Sequence, residues 1–516
     1  MSVLTDLNTY MSIISPAFKG YIKLRQSAID NFMHNPIDTQ QQVFNHLIGS
    51  AQFTEYGKKY NFERIDSISD FQKIVPINDY ETLKPYIQRI LEGTQNVLWP
   101  SPITWFAKSS GTTSDKSKFI PVSKESLDDT HFRGGRDVLA LYLKENPKSE
   151  LTSGKCLVLG GSHQINQLNA ASFFGDLSAV MLQNMPLAGQ LFRLPELSIA
   201  LMTEWEDKIE RMAHSTISEN VTYIAGVPTW TIVLIKRILE ITGATNLLEI
   251  WPNLELYIHG GVNFTPYRRQ FEQFIPSPYM SYRETYNASE GFFAAQDRDD
   301  EEGMLLFLNH GIFYEFMPQS EYGSENPRML TLKEVELYKN YAIVISTNGG
   351  LWRYLVGDTV QFTSLNPFRI KVTGRLKHFI NAFGEEVIVD NADNAIAAAC
   401  AETGATVVDY SAAPVYMTGE NNGAHEWIIE FDHLPVSLET FTVLLDKSLQ
   451  AINSDYEAKR YKDMALRMPI VHAMPRDGFK KWLKDKGKLG GQHKVPRLNN
   501  ERKYLEEMLA YLNPTN

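Results

Sequence analysis

Residues Ser109 to Lys118, Ser-Ser-Gly-Thr-Thr-Ser-Asp-Lys-Ser-Lys, place hydroxyls around a single glycine and close with lysines. Gly111 lets the backbone approach a ligand, the hydroxyls of Ser109, Ser110, Thr112 and Thr113 can donate to phosphate oxygens, and Lys118 adds positive charge. Such a loop suits a nucleoside triphosphate. It is not a Walker A loop, which needs a second glycine before Lys-Ser/Thr and a helix opening there. The same composition makes a polar turn between two strands, and Phe119 to Val122 after it reads as extended.

Four further groupings carry possible chemistry. Tyr286-Asn-Ala-Ser289-Glu290 puts an aromatic ring four residues before a carboxylate. A ring can stack on a nucleobase, and a carboxylate beside phosphates can hold Mg²⁺; a turn with a solvated Glu290 fits the same letters. Gly350 to Asp358 ends an apolar run in an aspartate able to accept ribose hydroxyls, or is a hairpin turn with Asp358 exposed. Gly374-Arg375-Leu376-Lys377, with Asn381 close behind, reads as a charged linker, with Arg375 able to reach ribose or phosphate and Lys377 at the hinge. Gly490 to Arg497 follows Lys480, Lys481, Lys484, Lys486 and Lys488. A lysine there, Lys494, could neutralise charge building on a carboxylate and an α-phosphate, or the segment is a solvated basic loop.

These residues need a frame. Asp38-Thr39 reads as the cap of a helix carrying Val43, Phe44, Leu47 and Ile48, and Ile77 to Glu81 leads through Ile90-Leu91 to Trp99. Runs at Lys155, Val221, Leu254 and Ala342 end in glycine or small residues and alternate with helical segments such as Trp230 to Ile241, as in an α/β domain. After residue 376 the order changes. Ala392 to Ala401 and Leu438 to Ile452 read as helices, and Thr406 to Tyr416, Glu426 to Phe431 and Leu466 to His472 as strands. The expected domains are therefore 1–376, large and α/β, and 377–516, small and α+β.

The chain has 516 residues, 43% of them hydrophobic, and a net charge of -11, which disfavours nucleic acid and anionic membranes as partners. Two cysteines, Cys156 and Cys400, show no disulfide or zinc spacing, so a reducing, cytoplasmic setting is expected. No apolar stretch is long enough to span a membrane, and no export signal opens the sequence. No His-Glu-x-x-His or Gly-x-Ser-x-Gly occurs. Glu430 and His433 stand alone as a metal-like spacing, and His163, His259 and His310 read as structural.

The order of these elements, phosphate loop, Tyr-x-x-Ser-Glu, Gly-Asp, Gly-Arg hinge and C-terminal lysine, resembles the adenylate-forming superfamily. Within it the chain looks most like the Gretchen Hagen acyl acid amido synthetases, the auxin-responsive promoter family. The matches are the extra loop residue before Lys118, Trp105-Phe-Ala-Lys108, Phe313-Tyr-Glu-Phe-Met-Pro318, Leu351-Trp-Arg-Tyr-Leu-Val-Gly-Asp358 and Gln492-His-Lys-Val-Pro-Arg497. The resemblance implies an α/β fold whose large N-terminal domain includes a β-barrel-like portion, followed by a small mobile α+β domain. It implies a ligase that activates a carboxylic acid with ATP and Mg²⁺, releases pyrophosphate, and passes the acyl group from AMP to an amino acid's amine.

Carried over, Ser109, Ser110, Gly111, Thr112, Thr113 and Lys118 hold phosphates, Tyr286 and Ser289 meet adenosine and the acyl end, Glu290 binds Mg²⁺, Asp358 binds ribose with Arg375 near it, and Lys494 is the adenylation lysine. A cytoplasmic monomer with small-molecule substrates is expected. Two features depart from the pattern: Ser114 and Asp115 stand where relatives often have glycines, and Trp352 where tyrosine is frequent. Arg133 and Arg136 read as part of a surface helix, or could meet a second acidic group on the substrate. The rivals are an acyl-CoA ligase sharing the first half-reaction and a non-catalytic nucleotide-binding protein.

Overall fold

A computed structural model describes residues 20–110, 117–160, 165–202, 204–262, 264–299, 302–376, 379–418, 421–486 and 495–512. Among them, one compact unit takes in 20–109, Phe119–Gly261 and Glu272–Leu376. A second takes in the chain from Phe379 on, together with Val262–Phe271 and the strand residues Ser110, Ser117 and Lys118. The fold is α/β, with a large N-terminal domain and a smaller C-terminal one.

The strands β1 (Trp105–Ser110) and β2 (Ser117–Val122) form a sheet with β5 (Ser172–Gly175) and β4 (Asn166–Asn169), in the order β2-β1-β5-β4. The main sheet has eleven strands. Its parallel half comprises β3 (Lys155–Val158), β6 (Arg193–Leu194), β7 (Val221–Ala225), β8 (Leu256–Gly260) and β9 (Ser281–Ala288). Its antiparallel half adds β10 (Gly291–Ala295), β11 (Met304–Leu306), β12 (Ile312–Pro318), β13 (Asn340–Thr347), β14 (Tyr354–Leu365) and β15 (Phe368–Arg375). The order is β12-β13-β14-β15-β11-β10-β9-β8-β7-β3-β6. The strand β9 is parallel to one neighbour and antiparallel to the other.

The antiparallel half curls tightly. Strands β9 and β14 stand four places apart, roughly 19 Å in a flat sheet, yet the Tyr286 hydroxyl reaches Asp358 at 2.6 Å. This curvature is the barrel-like character expected of the domain, reached within one continuous sheet. The strands that make it are rich in β-branched and aromatic residues; β13, Asn-Tyr-Ala-Ile-Val-Ile-Ser-Thr, is buried from its second residue to its last.

The N-terminal helices close the outside of this half. Tyr56, Phe62 and Trp99 pack around Trp352, with ring centroids 6.3, 4.8 and 6.3 Å away. Trp352 therefore sits in a fully buried aromatic cluster. The helix expected to start at Asp38-Thr39 begins at Pro36, because proline is preorganised for a first helical position; Asp38 lies in the first turn and the Thr39 hydroxyl donates back to the Asn35 carbonyl. Asp79 caps the helix Tyr80–Leu91 reciprocally with Thr82.

In the smaller unit, β16 (Phe379–Ile380) pairs with β17 (Val387–Ile388), and β18 (Thr406–Val415), β19 (Ala424–His433) and β20 (Ile470–Met474) form a three-stranded sheet beside the helices Val389–Thr403 and Leu438–Ile452. The last strand starts at Ile470, later than the expected Leu466, since Pro469 cannot donate to a ladder. Glu430 and His433 make no metal site: Glu430 accepts from the backbone N–H groups of Asp477 and Phe479 at 2.8 and 3.0 Å. Among the described residues no helix is long and apolar enough to cross a membrane.

Candidate active site

The changeover strand β9 carries Tyr286 near its end and turns at Ser289-Glu290 into β10. Opposite, β14 and β15 place Asp358 directly across from Arg375. Both strands are irregular here. Gly357 has φ +97° and Gly374 φ +148°, and the pairing register shifts between Ala342 and Val344 on one side of β14 and between Thr359 and Val360 on the other. Bulges of this kind re-aim a side chain, and only a residue without Cβ takes such backbone angles at low cost.

The result is a buried carboxylate with two partners. Asp358 is 6% exposed; its Oδ2 accepts from the Tyr286 hydroxyl at 2.6 Å and its Oδ1 from Arg375 Nε at 2.6 Å. A carboxylate offers about four acceptor directions, so each oxygen can take one more donor. The reading of Asp358 as an exposed residue at a hairpin turn is thus overturned. Tyr286 is buried with its ring against Phe293, centroids 4.7 Å apart. Burial and the Asp358 charge push its hydroxyl well above the ordinary tyrosine range, so it remains a donor. Burial opposes the charge on Arg375, and the negative groups around it, Asp358 first and Glu290 among them, outweigh burial and hold it firmly cationic.

Glu290 is half-buried at the β9–β10 turn, and its charge acts on Tyr286, Tyr354 and Arg375. The structure thus brings Tyr286, Glu290, Asp358 and Arg375 together, with Ser289 in the same turn. Ser109 and Ser110 end β1, and Lys118 lies in β2. The Phe119 N–H donates to the Tyr80 hydroxyl at 2.9 Å, tying the start of that extended run to the helix Tyr80–Leu91. Gly111, Thr112, Thr113, Lys377, Lys494 and His163 lie outside the described residues.

Several supporting residues carried no sequence signal of their role. Asn78 clamps the approach to β14: its N–H donates to the Arg353 carbonyl at 2.8 Å, its carbonyl accepts from Leu355 N–H at 2.8 Å, and its amide donates to the Trp352 carbonyl at 2.7 Å. Arg353 and Glu315, one from each of two apolar motifs, form a buried pair through Nε at 2.9 Å and Nη2 at 3.0 Å. Glu284, two residues before Tyr286 and on the same face of β9, is half-buried, and burial raises its carboxyl above the usual range.

Other expectations change or hold. The helix Phe132–Glu145 is packed into the core by Phe132, Val138, Leu139 and Leu141, so it is not a surface helix. Arg133 pairs with Asp129 and donates to the Asn309 carbonyl, and Arg136 donates to the Asp128 carbonyl. His310 is fully buried against Asp137, which Arg25 also grips, a structural role. His259 is 4% exposed on β8, its ring 5.4 Å from Tyr257.

Sequence comparison adds the lineage. The chain resembles indole-3-acetic acid-amido synthetase GH3.3 of Arabidopsis thaliana, 23% identical over 557 residues that cover 94% of this chain and 92% of that one. Its fold resembles the AtGH3.15 acyl acid amido synthetase in complex with 2,4-DB, with TM-score 0.61, 16% identity, and 95% and 96% of the two chains covered. It also resembles a 2-hydroxyisobutyryl-CoA ligase in the thioesterification state, with TM-score 0.51, 14% identity, and 94% and 92% covered. Models of the GH3 family N-terminal, central and C-terminal domains match residues 25–280, 305–375 and 390–503 in that order. With those three domains accounting for most of its length, the chain belongs to the GH3 family.

Proposed function

We propose that this protein is an adenylate-forming acid-amido synthetase, a ligase that joins a carboxylic acid to the amine of an amino acid at the expense of ATP. The observation that carries this reading is the Asp358 carboxylate, buried and pre-oriented by Tyr286 and Arg375 on bulged strands, with Glu290 beside it. A ribose has two vicinal hydroxyls, and a fixed carboxylate with free acceptor directions matches them through charge-assisted bonds. Among the described residues no group of three His, Cys, Asp or Glu stands ready to enclose a metal. That suits Mg²⁺, which takes one or two carboxylates and completes its shell with phosphates and water. Glu290 would hold it, and the ion would neutralise phosphate charge.

In the first half-reaction a carboxylate oxygen of the acid attacks the α-phosphorus and pyrophosphate leaves. Two anions approach each other, so the step calls for fixed positive charge more than for a base. The hydroxyls of Ser109, Ser110, Thr112 and Thr113 with Gly111 and Lys118 would cradle the phosphates, and Lys494 would neutralise the charge of the attacking carboxylate. Tyr286 orients Asp358 through its hydroxyl, while Ser289 lies toward the acyl end. In the second half-reaction the amine attacks the acyl carbonyl, AMP leaves, and the amine loses its proton. Amide formation is preferred to thioester formation because the family and its relatives in sequence are amido synthetases. The reading includes Lys377 at a hinge between domains 1–376 and 377–516, and a monomer in a reducing cytoplasm, which the two unpaired cysteines suit.

The test is acid-dependent ATP–pyrophosphate exchange over a panel of carboxylic acids, followed by addition of amino acids or CoA to the active acid. Amide product without CoA is expected. Nucleotide binding with no exchange for any acid would favour a non-catalytic protein, and product only with CoA would favour the thioester ligase. Lys494→Ala should lower exchange by about 10²-fold or more, the scale for losing one charge-stabilising group.

A further inference from the structure

Strand β9 sends alternate residues to opposite faces. Tyr286 turns to the Asp358 side, while Ser281, Arg283, Thr285 and Asn287 share the other face. Along that second row the polar groups are spent one after another. Ser281 and Arg283 meet Asp299, Arg283 also meets Glu145, and the Thr285 hydroxyl donates to the His259 carbonyl at 2.9 Å. Asn287 differs. It is half-buried, its Oδ1 lies 3.3 Å from His131 Nδ1, and its Nδ2 is neither enclosed nor hydrogen-bonded among the described residues. Ala288, Ser289 and Glu290 beyond it are half-buried too, so this end of β9 is open to a ligand.

His131 is aimed at Asn287 by an irregular helix. Residues Ser126–His131 form a π-helix that runs into the helix Phe132–Glu145, with the Phe132 N–H donating to the Leu127 carbonyl. Such insertions change which residue faces a neighbour, and they collect at functional sites. Thr130 ties the insertion down: its hydroxyl donates to the His310 carbonyl at 2.6 Å and to Asn348 Oδ1 at 3.2 Å. His131 is fully buried, and burial lowers its pKa to about 4, so the ring is neutral. A neutral imidazole has one N–H; carried on Nδ1, it donates to Asn287 Oδ1 and leaves both amide hydrogens for a ligand.

We infer that Asn287, held in place by His131, selects the acid substrate, its Nδ2 donating to a neutral oxygen, a carbonyl or a hydroxyl, on the acid's carbon chain. The inference rests on the adenylation reading, in which the acid's carboxyl group comes to Ser289, two residues further along the same hairpin. Asn287 also stands at the carboxyl end of β9, where the pairing changes from parallel to antiparallel, and ligands of α/β sheets collect at strand ends of this kind. A neutral acceptor fits because the neighbouring cations are committed: Arg283 to Glu145 and Asp299, and Arg133 to Asp129. A second carboxylate would lie there without a counter-charge. A plain hydrocarbon chain would leave the amide hydrogens unpaired once water is displaced.

The experiment is ATP–pyrophosphate exchange on the full chain with hexanoate, phenylpropanoate and every other acid active in the panel above. Each is compared with its oxo and hydroxy derivatives, the oxygen moved carbon by carbon, and with the dicarboxylate of the same length. At one oxygen position kcat/KM should exceed that of the parent acid by roughly 3- to 10-fold, through KM, with the dicarboxylate poorer than either. Asn287→Leu should bring that ratio toward unity. If it does not fold, Asn287→Asp keeps the shape without the donor and should bring the ratio below unity. His131→Leu should lower the ratio, and His131→Gln, which still donates to the amide, should restore part of it. No exchange with any acid would strike the ligase reading and this inference with it. Exchange without an oxygen preference, a preference for the dicarboxylate, or a preference unchanged in the Asn287 variant that folds would overturn the Asn287 assignment alone.

Discussion

Arg353 and Arg375 each meet a carboxylate in the curled half of the main sheet, and the two pairs are finished to different degrees. Glu315 accepts from Arg353 Nε and Nη2 and from Gln72, while the third guanidinium nitrogen donates to the carbonyls of Gln72 and Val75; both charged side chains are almost wholly enclosed. Asp358 accepts only one bond on each oxygen, and Arg375 keeps about a quarter of its side chain exposed. The first pair has spent its hydrogen-bonding capacity on the protein. In the second, the Asp358 carboxylate has used about half of its acceptor directions and holds the rest in a fixed orientation, which the proposed binding role requires.

Breaking the finished pair should have the largest effect. Glu315→Ala leaves Arg353 buried and uncompensated, and is expected to cost about 3–5 kcal/mol in urea unfolding; the double change Glu315→Leu with Arg353→Met should recover most of it. A loss under about 1 kcal/mol in the single variant would mean that the pair is not desolvated. Asp358→Asn is expected to act on ligand handling, lowering kcat/KM for ATP by roughly 10- to 100-fold, with a smaller stability loss than Glu315→Ala. The reverse ranking would erase the distinction between the two pairs.

A pH measurement sharpens the same contrast. His131, fully buried, bonds Asn287 of the β9–β10 hairpin at 3.3 Å, and burial lowers its pKa from 6.5 to about 4. The unfolded chain then binds a proton that the folded chain refuses between those values, so stability falls as pH falls through this window, by about 2 kcal/mol at pH 5. In His131→Gln the acid slope should lessen by about one proton; an unchanged slope would assign the acid sensitivity elsewhere. The smallest effect is reserved for Tyr286→Phe, which keeps the ring and removes the donor to Asp358. It should raise KM for ATP about two- to tenfold; no change would mean that Arg375 alone orients the carboxylate.

Much of this was legible from single residues. The helix read from Leu438 to Ile452 has those bounds, and the structure adds Ser437 as its cap. Tyr286, Glu290, Asp358 and Arg375 stood out by type and order. What sequence did not show was burial: whether Asp358 faces water or the protein depends on bulges at Gly357 and Gly374, which arise only when three strands pair. Glu284 was invisible for the same reason, since a charged letter in a strand tells nothing of how deeply the sheet buries it.

Asn78 and Gln40 impose a timetable on the chain. Gln40 donates to the carbonyls of Leu308 and Ile312 and accepts from the Tyr314 N–H, while Asn78 is stitched into the backbone on either side of Tyr354. At a synthesis rate of about 5–20 residues per second, roughly a quarter of a minute to a minute separates the emergence of Asn78 from that of its partner. Through that interval the N-terminal helices carry apolar faces with nothing to cover them, and a nascent chain of this protein offers chaperones a long-lived target that the finished enzyme does not.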